Sequence, residues 1–453
     1  MKAKIIERLA FAVAAMLPLV SMAESATVPF SFGEVKVDCE ERDGWKLAFS
    51  REVAADGAEI AKIVLDCPEA KTPPKTQLSS IVPQVGMDYS WNVNTGDCGM
   101  RPNWGARSHT EVAQGMPVFV YFDGNDTSHF SVAAEECVRH LNHLEGIREE
   151  GSLIEIGIGW FETPEAPISH YETRVRFDAR AKGFADEVRE AVAWIEKTAG
   201  IVPCRVPDAA CDPLYSSWYC FHQDVHAADL EAECAEAVKD GMRVIILDDG
   251  WQTDDNNRGY AFCGDWQESK NRFPDIKAHV ARVHAMGMKY MLWYAVPWMG
   301  EKSANYARFK DKCLYHNKRL KTYCLDPRFP EVREFLINTY ERALREWNID
   351  GLKLDFIDAI KMPDRDPALS DNFKGRDIKS VTEATERLIS DIYKRLSAIK
   401  PDVLVEFRQA YIGPSIRTAA NMLRSGAASR CSLSRTYVPV PSTPTRKAPS
   451  ARE

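Results

Sequence analysis

The sequence predicts a multidomain protein of the β plus α/β class, in which an N-terminal β-sandwich is followed by an incomplete (β/α)8 TIM barrel. Three observations predict this architecture. Residues 27–178 consist of short β-branched and aromatic runs separated by Gly, Asn, Asp and Pro. From residue 213 onward, apolar runs of strand length alternate with amphipathic helical patterns. Only six such strands precede residue 427, where the composition changes abruptly.

Residues 1–23 have the pattern of a cleaved secretory signal peptide. A basic start precedes the apolar run 9–22, and Ala23 ends a small-residue cleavage pattern. A membrane anchor is the alternative, but the run has only about 14 residues and Pro18 interrupts it, which is short for a spanning helix. The mature protein is therefore expected in the periplasm or outside the cell, without membrane association.

The composition limits the classes of partner and the disulfide pattern. The formal net charge of -8 argues against nucleic acid and anionic membranes, since both favour basic surfaces. Twelve cysteines in an exported protein make disulfides possible, for example Cys204 with Cys211 or Cys313 with Cys324. Buried free thiols fit the spacing equally well. The oligomeric state is left open by the sequence.

The N-terminal region is predicted to be almost entirely β-structure. Its clearest strand-like runs are KIVLDC (62–67), PVFVYFDG (117–124), LIEIGIGWFE (153–162) and YETRVRFDA (171–179). The stretch SVAAEECVRHLNHL (131–144) is the one helical pattern within it. An amphipathic helix over 183–200 is expected in a linker that spans residues 179–212.

The partial barrel is expected over residues 213–426. Its predicted strands are 214–222, 243–249, 289–296, 351–358, 402–409 and 418–424. Its predicted helices are 227–241, 276–287, 330–347 and 381–399. Because catalytic groups of such barrels lie at the C-terminal ends of strands, the charged residues at those ends are the candidates for function.

The stretch IDGLKLDFIDAI (349–360) carries charge inside an apolar strand. Residues two apart on a strand point to the same side, so Lys353 and Asp355 are expected to face the barrel mouth together. A nearby ammonium favours the ionised carboxylate, which suits a nucleophile or an electrostatic stabiliser. A structural ion pair in the barrel core is the alternative.

Polar and aromatic residues also mark the ends of the other strands. Asp248 and Asp249 could accept hydrogen bonds from sugar hydroxyls, or they could simply form a turn after the strand. A metal is not expected at this pair, because no third ligand is evident, and no cofactor motif is present. The remaining strand-end candidates are Trp218, Trp251, Glu406 and Arg408.

Several motifs follow one another in order between residues 213 and 426. They are ILDDGWQ, GDWQESKNRFPD, GMKYMLWYAVP, LDPRFPEVREFL and DGLKLDFID, followed by EFRQAYIGP and NMLR. Together they resemble the melibiase-type α-galactosidase clan of retaining glycoside hydrolases. The β-rich region upstream is similar to the N-terminal β-sandwich of that group.

The resemblance implies a role for each matching residue. It implies that Asp355 is the nucleophile of a K-x-D motif and that Lys353 contacts sugar hydroxyls. It implies that Asp248 and Asp249 hold the far side of the galactose ring. The residues implied to contact the sugar or to shape its cleft are Trp218, Trp251, Asp265, Trp266, Glu406, Arg408 and Arg424. For Asp265, Trp266, Glu406 and Arg408, structural packing is the alternative.

One departure from the resemblance concerns the acid/base. In the family it is an aspartate just after strand six, a few residues beyond an arginine that Arg424 matches. No Asp or Glu follows Arg424 before Glu453, and residues 427–453 form a basic, low-complexity stretch that predicts a disordered tail. A frameshift or premature end in the gene is our hypothesis for this change.

The expected function is hydrolysis of α-galactosides of oligo- or polysaccharides by double displacement, weakened or lost if half of the acid/base pair is missing. A carboxylate such as Asp358 or Glu406 is the alternative acid. Two other functions are kept open. One is a carbohydrate-binding pseudoenzyme, and the other is a retaining glycosidase of another α-linked sugar, such as an α-N-acetylgalactosaminide or an α-glucoside.

Overall fold

The computed structural model describes residues 20–22, 25–40, 44–93, 99, 105–148, 150–163, 165–255, 257, 259–408 and 413–424. The predicted tail 427–453 and most of the predicted signal peptide 1–23 lie outside the described residues, so both stay predictions. Val20–Met22 form a strand that pairs antiparallel with residues 47–49. No helix in the described ranges is long and apolar enough to cross a bilayer.

Two antiparallel sheets make up the N-terminal part. Their strands are β1 (Val20–Met22), β2 (Ser25–Phe30), β3 (Gly33–Cys39), β4 (Lys46–Val53), β5 (Glu59–Lys71), β6 (Thr76–Pro83), β7 (Tyr89–Trp91), β8 (Gly105–Thr110), β9 (Val118–Phe122), β10 (Thr127–Ala134), β11 (Leu141–Arg148), β12 (Leu153–Trp160), β13 (Ile168–Asp178) and β14 (Lys182–Gly183). The first sheet has the order β1-β4-β5-β13-β10-β9-β7, with β14 beside β10, and the second has the order β2-β3-β6-β12-β11-β8. Alternate residues of both sheets enter one shared core, for example Phe49 and Leu65 from the first sheet and Val37 and Leu78 from the second.

Residues 131–144 are predicted to be helical, and this prediction is wrong. The stretch contains the end of β10 and the beginning of β11. β10 pairs with β9 on one side and with β13 on the other, and Phe130, Val132 and Ala134 alternate into the shared core. Pairing with two distant strands therefore overrides the helix propensity of this alanine- and glutamate-rich stretch.

The helix predicted within the linker is present as α1 (Phe184–Thr198). Its apolar side chains, among them Val188, Val192 and Ile195, pack with Val118 of β9 in a core of their own. The helix covers the face of the first sheet that is turned away from the shared core. The linker is thus partly an integral layer of the N-terminal part.

A second series of elements follows. It contains β15 (Leu214–Ser216), α2 (Trp218–Phe221), α3 (Ala227–Lys239), β16 (Val244–Leu247), α4 (Ile276–Ala285), β17 (Lys289–Ala295), β18 (Trp298–Gly300), α5 (Tyr306–Phe309), β19 (Cys313–Asn317), β20 (Thr322–Leu325), α6 (Pro330–Glu346), β21 (Gly351–Asp355), α7 (Val381–Ile399), β22 (Leu404–Arg408) and β23 (Met422–Arg424).

Six of these strands form one parallel sheet in the order β15-β16-β17-β21-β22-β23. Each corresponds to one of the predicted strands. One face carries a small apolar cluster that includes Val244, Met291 and Leu404. The opposite face packs against the helices, where Leu352 meets the large core that also contains Leu388 of α7. Burial of both faces is typical of a parallel sheet, and β15 and β23 are its edges within the described residues.

Two local differences from the predicted elements bear on the site. The first strand ends at Ser216, and Trp218 begins the short helix α2 instead of continuing the strand. A three-stranded antiparallel sheet of order β18-β20-β19 is inserted between β17 and α6, and no sequence pattern predicted it. This insert lies next to the C-terminal end of the parallel sheet, where Leu325 donates its backbone N–H to the carbonyl of Pro297 at 2.8 Å.

The four cysteines considered for short-loop disulfides are free thiols. Cys313 donates to the carbonyl of Phe309 at 3.3 Å, and Cys324 is fully buried. Cys204 and Cys211 are likewise unbridged. The free-thiol alternative therefore applies to both pairs.

Candidate active site

Charged side chains from neighbouring strands meet at the C-terminal edge of the parallel sheet. Lys353 and Asp355 of β21 are both buried and, being two residues apart, they point to the same face. The strand register pairs Lys353 with Trp293 of β17 and with Glu406 of β22, and it pairs Asp355 with Arg408. Trp293, Lys353 and Glu406 therefore form a lower row, and Asp355 and Arg408 form an upper row at the mouth of the sheet.

Asp355 accepts hydrogen bonds on both carboxylate oxygens. The indole N–H of Trp293 donates to Oδ2 at 3.1 Å, and the backbone N–H of Phe356 donates to Oδ1 at 2.9 Å. A guanidinium nitrogen of Arg408 lies 3.6 Å from Oδ1. Burial raises the pKa of Asp355 above its ordinary value, while Lys353, Arg408 and Trp293 act in the opposite direction. These donors hold the carboxylate in one orientation.

Lys353 forms a buried ion pair with Asp248, the residue that follows β16. The ammonium contacts Oδ2 of Asp248, and the two side chains are 5% and 4% exposed. The backbone N–H of Asp248 donates to Oγ of Ser217 at 2.9 Å, and that of Asp249 donates to Oδ1 of Asp248 at 2.9 Å. Lys353 thus pairs with Asp248 of the neighbouring strand and lies on the same face as Asp355, as strand alternation predicts.

Asp249 is held by two glutamine side chains. Nε2 of Gln223 and Nε2 of Gln252 each donate to one of its oxygens at 2.7 Å. Burial raises the pKa of Asp249 to about 6. Gly250, at φ 119°, lets the chain turn here, because a Cβ would meet the carbonyl oxygen of Gln223 at 2.5 Å. Contact between Asp249 and a sugar hydroxyl stays a prediction. In the structure, the side chains of Gln223 and Gln252 hold the carboxylate.

Trp251 and Trp266, which were expected to contact substrate, lie in the core instead. They are 0% and 1% exposed and stack with ring centroids 6.1 Å apart. The indole N–H of Trp251 donates to the backbone carbonyl of Trp293 at 3.0 Å, so Trp251 supports the strand that carries Trp293. Asp265 accepts from the hydroxyl of Ser303 at 2.7 Å and organises the loop that follows β18. The packing alternative thus describes Trp266 and Asp265, and burial corrects the expected role of Trp251.

Trp218 lies beside the site but not on a strand. It starts α2, is half-buried, and meets the ring of His222 edge-on at 5.0 Å. Oγ of the preceding residue, Ser217, accepts a hydrogen bond from the backbone N–H of Asp248. The predicted contact of Trp218 with a sugar ring therefore stays a prediction about a residue at the margin of the site.

The remaining predicted residues are found on β22 and β23. Glu406 is buried in the lower row next to Lys353, while Arg408 is half-buried in the upper row. The register pairs Arg424 of β23 with Arg408. The backbone register thus aligns Arg408 and Arg424 with Asp355 across the three strands.

Two aromatic residues next to Asp355 were missed by the sequence reasoning. Trp293 donates to Asp355, and Tyr260 stacks on Trp293 with centroids 6.1 Å apart and meets Phe356 edge-on at 5.2 Å. Burial and the neighbouring carboxylates raise the pKa of Tyr260. The alternation of β17, which places Trp293 on the face of Lys353, could have identified Trp293. Tyr260 lies on a loop, where no periodic pattern exists.

One group of carboxylates among the described residues has the spacing of metal ligands. It consists of Asp178, Glu187 and Glu190 in the N-terminal part. Arg176 lies 2.8 Å from Asp178 and 2.9 Å from Glu187, and Lys182 lies 2.7 Å from Asp178. Basic side chains thus already neutralise this group, and it lies outside the candidate active site.

Comparison with known proteins shows what the second part of the chain resembles. The Melibiase family model matches residues 197–412. The α-galactosidase Mel36A of Lactobacillus acidophilus is 28% identical over 231 residues, an alignment that covers 46% of this chain and 30% of that relative. α-Galactosidase 1 of Pediococcus pentosaceus is 26% identical over 203 residues, covering 43% of this chain and 26% of the relative. The alignments thus span less than a third of the length of these relatives.

Solved structures show the same fold. The α-galactosidase from Lactobacillus brevis superposes with a TM-score of 0.59 and 16% identity, covering 90% of this chain and 60% of that chain. The GH36 α-galactosidase AgaB from Geobacillus stearothermophilus gives a TM-score of 0.57 and 14% identity, with coverage of 90% and 61%. The shared fold is a β-rich N-terminal part followed by a partly curled parallel sheet. Residues 197–412 therefore match the Melibiase family model, and this part of the chain is similar in sequence to α-galactosidases.

Proposed function

We propose that this protein hydrolyses α-galactosides of oligosaccharides or polysaccharides by a retaining double displacement, with Asp355 as the nucleophile. The observation that carries the proposal is the position of Asp355. Its buried carboxylate lies at the C-terminal end of β21, is oriented by Trp293 and Phe356, and lies beside Arg408. Positions of this kind carry the chemistry in barrel enzymes. The two antiparallel sheets then correspond to a β-sandwich, and the parallel sheet to six strands of an eight-stranded barrel.

In the first step an oxygen of Asp355 bonds to the anomeric carbon while the glycosidic C–O bond breaks, and the leaving oxygen takes a proton from an acid. In the second step the oxygen of a water molecule bonds to the anomeric carbon, the ester bond to Asp355 breaks, and the water's proton returns to the acid's conjugate base. Two inversions give net retention. The buried pair of Lys353 and Asp248 offers a donor and an acceptor for sugar hydroxyls below the reacting carbon.

The proposed substrate class follows from the relatives. The α-galactosidase AgaA of Geobacillus stearothermophilus has been solved with raffinose and with stachyose, and both structures superpose on this chain with TM-scores of 0.55. We extend this class, α-galactosyl oligosaccharides, to the present protein. Its export as a mature protein is likewise a proposal, which rests on the pattern in residues 1–23.

A panel of 4-nitrophenyl glycosides tests the substrate class. The α-galactoside should be cleaved faster than the α-N-acetylgalactosaminide and the α-glucoside, and the first sugar released should be the α-anomer when followed by NMR. Faster cleavage of either competitor would replace galactose with that sugar in the proposal. Initial release of the β-anomer would exclude the retaining mechanism.

A second candidate function is carbohydrate binding without turnover. It is favoured by one observation, the absence of any Asp or Glu between Arg424 and Glu453, where the family's acid/base is expected. Calorimetry with raffinose and a labelling assay separate the two candidates. Raffinose binding without galactose release, and without a covalent adduct from an activated fluoro-galactoside, would favour the binding function.

Replacing Trp293 with phenylalanine should shift the pH dependence of the reaction. The indole N–H lowers the pKa of Asp355, so its removal raises that pKa further. Because the nucleophile must be ionised, the acid limb of kcat/KM should move to higher pH, with a loss of about tenfold on its acid side. The measurement is a pH profile with an activated aryl α-galactoside. A loss that is equal at every pH would instead indicate damage to packing.

A further inference from the structure

A fixed turn follows Asp355 directly. Phe356 adopts a left-handed conformation at φ 65°, and residues 357–359 form one turn of 3-10 helix. Nε2 of Gln114, from a turn of the N-terminal part at residues 111–114, donates to the carbonyl of Asp358 at 3.1 Å. The backbone of Asp358 is therefore anchored by a contact from outside its own element.

The next residue of the turn is anchored as well. The hydroxyl of Tyr315 donates to the carbonyl of Ala359, and Sγ of Cys324 lies 3.6 Å from the same oxygen. Both residues belong to the antiparallel insert beside the sheet. Contacts from two sides thus hold the backbone of the turn, and Asp358 follows Asp355 by three residues within it.

Four other carboxyl groups among the described residues lie around Asp355, and two of them already form ion pairs or hydrogen bonds within the site. Asp248 is ion-paired with Lys353 in the buried lower part of the site. Asp249 has both oxygens occupied by glutamine amides and is 1% exposed. Neither group is free to exchange a proton with a leaving oxygen or with water.

Glu406 is the third of these carboxyl groups, and the strand register places it too deep in the site to reach the leaving oxygen. It is 5% exposed and pairs with Lys353 in the lower row, whereas Asp355 pairs with Arg408 in the upper row. Two residues along a strand correspond to about 6.6 Å. Glu406 therefore lies below the nucleophile, on the side of the buried lysine, while the leaving group must depart toward the mouth.

Asp358 differs from these groups in both exposure and contacts. It is half-buried, and within the described part of the chain no other residue donates a hydrogen bond to its carboxylate and no ion pair reaches it. Burial and the charge of Asp355 raise its pKa, while Arg408 and Lys361 act in the opposite direction. A carboxyl group beside a second carboxylate, with a raised pKa, is the recurring pattern of a general acid.

We propose that Asp358 is the general acid/base of this protein, taking the place of the family aspartate that the sequence lacks after Arg424. The inference rests on the proposed function. In the first step the Asp358 proton passes to the glycosidic oxygen as the C–O bond breaks and Asp355 bonds to the anomeric carbon. In the second, the Asp358 carboxylate takes a proton from water as the water oxygen bonds to that carbon and the ester to Asp355 breaks.

A leaving-group series with Asp358→Asn tests this assignment. General acid catalysis matters most for poor leaving groups, so kcat/KM for phenyl α-galactoside or raffinose should fall by about 10²- to 10⁴-fold. The value for 2,4-dinitrophenyl α-galactoside, which needs no proton, should change little. With Asp358→Gly, added azide should accelerate turnover of the dinitrophenyl substrate and yield α-galactosyl azide. Asp364→Asn, an exposed carboxyl group of the following loop, should behave as the wild type.

Each outcome is decisive. If Asp358→Asn lowers kcat/KM equally for all leaving groups, or not at all, the role of Asp358 is overturned. The role is also overturned if Glu406→Gln shows a loss of kcat/KM that depends on the leaving group and Asp358→Asn does not. If the wild type labels Asp355 with an activated fluoro-galactoside while Asp358→Asn is unchanged, the inference alone fails. If the wild type neither turns over the dinitrophenyl substrate nor labels Asp355, the proposed function fails together with the inference. Urea midpoints equal to that of the wild type exclude misfolding as the cause of any loss.

Discussion

Replacement of Asp355 by asparagine should abolish covalent labelling by an activated fluoro-galactoside and lower turnover of 2,4-dinitrophenyl α-galactoside by at least about 10³-fold. Asparagine keeps the shape of the side chain, and its single carbonyl oxygen can still accept from one of the two donors, Trp293 or Phe356. It loses the anionic oxygen that must bond to the anomeric carbon. The activated substrate is chosen because its departure needs no acid, so the measurement reports on the nucleophile alone.

Mass spectrometry of peptic peptides provides the control. The wild type and Asp364→Asn should both carry one galactosyl adduct on the peptide that contains residues 351–358. An adduct on a different carboxylate, or turnover retained by Asp355→Asn, would contradict the assignment. External azide should restore turnover of the activated substrate in Asp355→Gly and give β-galactosyl azide, because only one inversion then remains.

Replacement of Lys353 by methionine should destabilise the protein by about 3–5 kcal/mol. The ammonium is the direct partner of Asp248, and both side chains are almost fully buried. Removing the cation leaves an uncompensated carboxylate in the lower row, which costs more than the pair itself contributes. Urea denaturation followed by tryptophan fluorescence is a suitable measurement, because Trp293 lies in the same row as Lys353.

The double variant Lys353→Met with Asp248→Asn separates charge from shape. Without the buried negative charge, much of the lost stability should return. Turnover should stay low, because neither side chain can then form a charge-assisted hydrogen bond with a sugar hydroxyl. Lys361→Met, at an exposed lysine near the same strand, should be close to neutral in stability. Equal destabilisation in the single and double variants would show that packing, not the unpaired charge, causes the loss.

The parts of the fold that were predictable are those that local patterns determine. The helix predicted over 381–399 is α7 with the same limits, and Ser380 caps it by accepting the backbone N–H of Glu383 at 3.5 Å. The apolar runs of the parallel sheet are recognisable because both faces are buried. The stretch 131–144 failed because its partners, β9 and β13, lie elsewhere in the chain and no local pattern records them.

The site was predictable to a similar degree. Strand alternation correctly placed Lys353 and Asp355 on one face, and this follows from strand geometry alone. The burial of Trp251 and Trp266 depends on how the loop after β16 turns back over the core, which sequence position does not reveal. The contact of Lys353 with Asp248 instead of Asp355 is set by the spacing between neighbouring strands. Such distances emerge only when the sheet is assembled.

The turn at residues 111–114 has a consequence for the modularity of the chain. Val112 and Ala113 are buried in the core of the parallel-sheet part, and Gln114 holds the turn that carries Asp358. A boundary drawn at the end of the predicted β-rich region, after residue 178, would separate these residues from the sheet that they complete. The β-rich part is thus no detachable accessory. A shortened protein without residues 111–114 would lose both the packing of Val112 and Ala113 and the hydrogen bond from Gln114 to the turn.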